Sequence, residues 1–199
     1  MKKLRLIENC LLIAAILITV CTVSIKEMEF QNTDVVGAFV AAIAVMLVGK
    51  LVKVGELTYT GMLIFVFLAS PIGSIANMYS RWLPYDKLIH FASGILLAAV
   101  GMVLIRNMII KSMQKQFPYM EADSVNITTI LVPVIFASCM FSGAAAGIWE
   151  IFEYAADIVI TGSMQRGMGD TITDMIAGNL GALAYGFSML IYYKLLKKI

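Results

Sequence analysis

Seven side chains in the second half of the sequence have the types and spacing of a ligand site. Asp86 and His90 stand four residues apart, Glu150, Glu153 and Asp157 follow at steps of three and four, and Asp170 and Asp174 are again four apart. On helices, each set falls on one stripe. His90 is the chain's one histidine, and the six acids are nearly half of its 13 carboxylate side chains. An imidazole with carboxylates can ligate several divalent ions, so a divalent metal ion is the candidate cofactor. The metal-ligand candidates are His90, Glu150, Glu153 and Asp174. Lys87 and Arg166, with Arg81, are nearby cations able to meet a phosphate group or to neutralise the acids. The ligand-binding set is therefore Asp86, Lys87, His90, Glu150, Glu153, Asp157, Arg166, Asp170 and Asp174.

The same residues admit plainer roles. Asp86 and Asp170 suit helix caps. Glu150, Glu153 and Asp174 suit an ion-pair network with Arg166 or Lys87, and His90 suits a supporting hydrogen bond. Other chemistries find little footing. The sequence has no HExxH, CxxC or P-loop pattern. One histidine is too few for two-histidine phosphatase chemistry. Ser142 lacks the Gly-x-Ser-Gly setting of an intramembrane serine protease, and Ser93 shares its helix with His90.

The elements that position these groups must be membrane helices. The chain has 199 residues, 60% hydrophobic and only 14% charged, with mean hydropathy +0.88. Soluble domains average about 25% charged residues. The apolar runs do not alternate, which favours helices over barrel strands. The fold class is all-α: a polytopic membrane helix bundle of six spans, read as a single transmembrane domain over 1–199. The spans fall at about 7–25, 35–53, 57–78, 86–106, 127–156 and 171–194. The stretch 150–170 is the place for a broken or re-entrant segment. The loop 107–126 reads as a solvated linker carrying Lys111, Lys115, Glu121 and Asp123.

Basic residues set the orientation. With both termini cytoplasmic, the inner segments carry 11 of the 15 Lys and Arg: Lys2, Lys3, Arg5, Lys50, Lys53, Arg106, Lys111, Lys115, Lys194, Lys197 and Lys198. Lys26, Arg81, Lys87 and Arg166 remain outside. The candidate site then lies at the outer leaflet. The sequon at Asn126 falls inside and reads as chance. The basic start before an apolar run resembles a signal peptide without a cleavage site, hence an uncleaved first span. Cys10, Cys21 and Cys139 sit in apolar runs as small hydrophobes. A net charge of +2 says nothing about nucleic acid, but with no basic–aromatic stripe no nucleic-acid partner is expected; membrane lipids are the implied one.

A charged carboxylate near mid-bilayer costs roughly 2.5–3.5 kcal/mol on insertion scales. Several acids must therefore face a polar cavity or one another. Small residues continue the same stripes inward: Gly94 and Ala98, Gly143 and Gly147, Gly178 and Gly181. They predict close helix contacts. On that reading Gly147→Leu destabilises the protein more than Gly49→Leu.

Asp86-Lys87-Leu88-Ile89-His90-Phe91 and Asp170-Thr171-Ile172-Thr173-Asp174-Met175-Ile176-Ala177-Gly178-Asn179-Leu180-Gly181-Ala182 resemble the VanZ-like and YjdF-like families of small bacterial membrane proteins. Glu150-x-x-Glu153 is closer to the YjdF-like branch. The resemblance covers about 82–100 and 147–184, and implies a multi-pass protein of the bacterial cytoplasmic (inner) membrane. VanZ-like proteins are associated with resistance to the glycopeptide teicoplanin. Neither family supplies a catalytic residue.

Three functions compete. One is an outer-face site for a cation, a lipid head group or a cell-envelope intermediate, whether binding or enzymatic. The second is a structural or accessory subunit whose polar cluster locks helices. The third is a small cation- or proton-coupled transporter; against it, the inner helix halves look apolar, with no evident acidic partner.

Overall fold

A computed structural model describes residues 2–26, 30–117, 119, 127–160 and 164–197. Every regular element among them is helical. Six helical stretches are long and apolar enough to cross a membrane. In chain order the elements are α1 (Lys2–Ile25), α2 (Asn32–Leu51), α3 (Glu56–Phe67) with a π-helical continuation (Leu68–Ile75), the single turn α4 (Met78–Arg81), α5 (Pro84–Gln116), α6 (Ile127–Ile160) and α7 (Met168–Lys197). Large apolar side chains such as Leu11, Ile18, Val40, Leu47, Phe136, Leu183 and Phe187 stay exposed, as expected of surfaces solvated by lipid.

Local sequence explains the breaks. Pro71 has no N–H, and its ring obstructs the carbonyl four residues back. The helix widens there, and the Ala76 N–H reaches the Pro71 carbonyl, five residues away, at 2.9 Å. Asn77 then turns left-handed, with φ 58°, a conformation asparagine tolerates. Pro84 opens α5, where a missing N–H is harmless. Pro133 lies inside α6.

Two expectations need correction. The third span is not one regular helix to 78; it changes to π geometry at Leu68. The linker from 107 begins later, because α5 continues to Gln116, two residues before Pro118. Lys111 and Lys115 are therefore helical residues. Glu121, Asp123 and the sequon at Asn126 lie outside the described residues. In the 150–170 stretch, α6 runs on to Ile160 and α7 begins at Met168.

The chain forms two compact units, Met1–Ile89 and His90–Ile199. In the first, α1, α2, α3 and the π segment pack on one another. Arg5 joins them. Its Nε donates to Glu56 at 3.1 and 3.3 Å, and its terminal nitrogens donate to the Gly49 carbonyl at 3.0 Å and the Val54 carbonyl at 2.6 Å. The guanidinium also lies 4.5 Å from the Tyr59 ring centroid. Tyr59 donates to Asn9 Oδ1 at 2.7 Å, and Thr60 donates to Glu8 Oε1 at 2.7 Å.

In the second unit, α6 and α7 pack along each other around Ala98, Met102, Leu131, Val134, Ile135, Cys139 and Ala182. Nearer the candidate site the backbones close up. A Cβ at Gly94 would collide with the Gly178 carbonyl, and one at Gly181 with the Phe91 carbonyl. Ser142 Oγ donates to the Gly94 carbonyl at 3.0 Å, and Cys139 donates to the Ala182 carbonyl at 3.3 Å. Gly147 departs from expectation: a Cβ there would meet only Met175 Cε, at an ordinary 3.7 Å. At Gly49 an added Cβ would run into the Tyr59 ring. The expected order of Gly147→Leu and Gly49→Leu is therefore reversed.

Candidate functional site

Three helices of the second unit each present one polar side chain to a common point. His90 comes from α5, Glu150 from α6 and Asp174 from α7, and all three are buried, Asp174 to 1% exposure. The close approach of α5 to α7 through Gly94, Gly178 and Gly181 lies just inward of them and fixes their separation. Ser93 ties α5 locally by donating to the His90 carbonyl at 2.7 Å.

The imidazole stands between two carboxylates. His90 Nδ1 is 4.0 Å from Glu150 Oε1, and His90 Nε2 is 3.7 Å from Asp174 Oδ1. Both distances exceed the usual 2.7–3.2 Å of an N–H···O bond. At the bond lengths zinc takes with nitrogen and oxygen, two ligands of a tetrahedral ion lie roughly 3.4 Å apart. The Nε2–Asp174 gap is close to that spacing.

Asp86, in the first unit, is also buried. Asp86 precedes His90 by one turn on α5 and pairs with Lys87 at 3.4 Å. The remaining candidates have other engagements. Glu153 accepts a bond from Trp149 Nε1 at 2.7 Å on an exposed part of α6. Asp157 accepts the backbone N–H groups of Met164 and Gln165 at 2.9 and 2.8 Å, bracing the segment before α7. Gln165 continues that brace by donating to Thr171 at 3.1 Å. Arg166 pairs with Asp170 at 3.5 Å. Asp170 lies in the first turn of α7 rather than capping it, where the helix dipole favours a carboxylate.

Sequence reasoning missed two things. One is Ser142, which fastens α6 to α5 below the site; a serine amid small residues gave no distinct signal. The other is the hub of the first unit. Its signal was present: Arg5, Glu8 and Asn9 repeat the i, i+3, i+4 spacing of Glu56, Tyr59 and Thr60. The hub also includes half-buried Glu8 near the start of α1, whose buried Oε2 has no hydrogen-bond partner among the described residues.

The pattern of spans and the family comparison agree. The family described as "Predicted membrane protein (DUF2238)" matches residues 7–196. The chain belongs to the DUF2238 family. No curated protein and no solved structure shows significant similarity to it. The DUF2238 match reaches into all six candidate membrane helices and includes the candidate site and the hub residues other than Arg5.

Proposed function

We propose that this DUF2238 protein binds a divalent cation in its second unit, at the outer face of a bacterial cytoplasmic membrane. The observation that carries this reading is the convergence of buried His90, Glu150 and Asp174 from three helices, with Nδ1 4.0 Å from Glu150 Oε1 and Nε2 3.7 Å from Asp174 Oδ1. A divalent ion uses the donor types present, carboxylates and an imidazole. The outer-face placement rests on the 11-to-4 split of basic residues. The likeness of 86–91 and 170–182 to VanZ-like and YjdF-like proteins supports a role toward the cell envelope. A lipid head group or envelope intermediate with a phosphate is the ligand that such an ion would hold.

The test is binding of calcium, magnesium, manganese and zinc to the purified protein in detergent, alongside its melting temperature. The expected result is saturable binding of at least one ion, weakened at least tenfold in Glu150→Gln. A wild type that binds none of the four, with Glu150→Gln merely melting lower, would make the cluster a structural ion-pair network.

A further inference from the structure

A shallow hollow on α7 is lined by Ile172, Met175, Ile176, Asn179, Leu180 and Leu183. These six make two overlapping sets at i, i+3, i+4 and i+7, the four-residue hole that receives a knob from a facing helix. Ile172, Ile176, Leu180 and Leu183 are exposed. Within the unit, α6 meets α7 at Gly186 and α5 meets it at Gly181, on other sides of the helix. Ile172, Ile176, Asn179 and Leu183 follow one another at steps of four, three and four. That heptad spacing supplies knobs as well as holes, so the same face can pair with a copy of itself.

Asn179 indicates the occupant. It stands eleven residues into α7 from Met168, inside a candidate membrane span and roughly 16 Å along the helix axis, where hydrocarbon offers no hydrogen bond. Its Nδ2 donates to the Met175 carbonyl at 2.7 Å. Its Oδ1 lies over Gly143, a C–H contact weaker than an N–H···O bond. An amide carries two N–H donors and an acceptor oxygen. Among the described residues the second N–H and Oδ1 make no hydrogen bond. We propose that α7 pairs with α7 of a second copy of this chain, the two Asn179 amides bonding to each other across a two-fold axis. Two chains inserted alike lay their α7 helices parallel, which brings both amides to one depth. Each then donates Nδ2–H to the other's Oδ1, a self-complementary contact. A polar residue in such a seam sets register and the number of helices. Any other partner needs its own amide or hydroxyl at that depth; a second copy carries one already.

The experiment oxidises single-cysteine variants of the full chain in native membranes with copper phenanthroline and reads cross-links by non-reducing electrophoresis. Cys10, Cys21 and Cys139 are first replaced by alanine. Ile176→Cys and Leu183→Cys are expected to cross-link to twice the mass of the chain. Ser188→Cys, exposed on another side of α7, is expected to stay at the mass of one chain. Adding Asn179→Leu to Ile176→Cys should lower the dimer yield about fivefold. Adding Asn179→Gln, which keeps an amide, should recover most of it. Equal cross-linking at 176 and 188, or none at 176 and 183, would overturn the proposal. So would a band of another mass, which makes the partner a different membrane protein. An unchanged yield with Asn179→Leu, or equal losses with Asn179→Leu and Asn179→Gln, would overturn the amide pairing.

Discussion

Each of the two units holds a polar cluster, and the clusters differ in the groups they bring together. Around Arg5, the guanidinium donates to two carbonyls and to Glu56, and Tyr59 and Thr60 complete bonds to α1, most of them between 2.6 and 3.1 Å. Around His90, the facing groups stand at 3.7 and 4.0 Å. Cation meets anion and carbonyl in the first cluster; two acids flank one imidazole in the second. A closed network of charge-assisted bonds is what a fold uses to fasten helices. The proposed cation would use the acid-rich cluster, held by closely packed backbones. Both clusters contain carboxylates in helical spacing, so the contrast lies in the groups that face them.

The largest test of this contrast is Gly94→Leu. The side chain would meet the Gly178 carbonyl, so α5 and α7 must separate. A loss of more than about 3 kcal/mol is expected, together with cation binding, read by melting temperature and ion titration in detergent. Near-wild-type stability would place the two backbones further apart than described here.

A middle-sized effect distinguishes the clusters directly. Arg5→Ala removes bonds to Glu56, Gly49 and Val54. Because the pair is partly exposed, the expected loss is about 2 kcal/mol. Cation affinity in the second unit should not change. A parallel fall in affinity would show that the hub takes part in binding.

The smallest effect is expected at Asp157→Asn. It weakens the brace on Met164 and Gln165 by about 1 kcal/mol and leaves cation affinity within twofold. A tenfold loss would return Asp157 to the ligand set.

Much of the fold was legible because its determinants are local. Six apolar runs and a scarcity of charge specify six membrane helices, whatever their packing. The end of α5 was not, because Lys111 and Lys115 look like linker residues, yet a helix leaving a bilayer can carry charge until Pro118 stops it. The π segment was not legible either: Pro71 announces a disturbance without saying whether the helix kinks or widens. Within the candidate site, the spacing of Asp86, His90, Glu150 and Asp174 placed these side chains on helix stripes. It could not separate Glu150 from Glu153, since three residues on a helix differ by 60° and only packing decides which side chain is buried. Gly147 misled for the same reason. A small residue permits close approach but does not require it, and the closest approaches fell at Gly94 and Gly181.

The central claim is that His90 belongs to a cation site, and the most direct measurement is the metal content and binding stoichiometry of purified wild type against His90→Gln. Wild type should bind one divalent ion per chain, and His90→Gln should lose at least tenfold in affinity with its melting temperature, measured without added ion, little changed. Equal affinity in the two proteins, or no bound ion in either, would contradict the account.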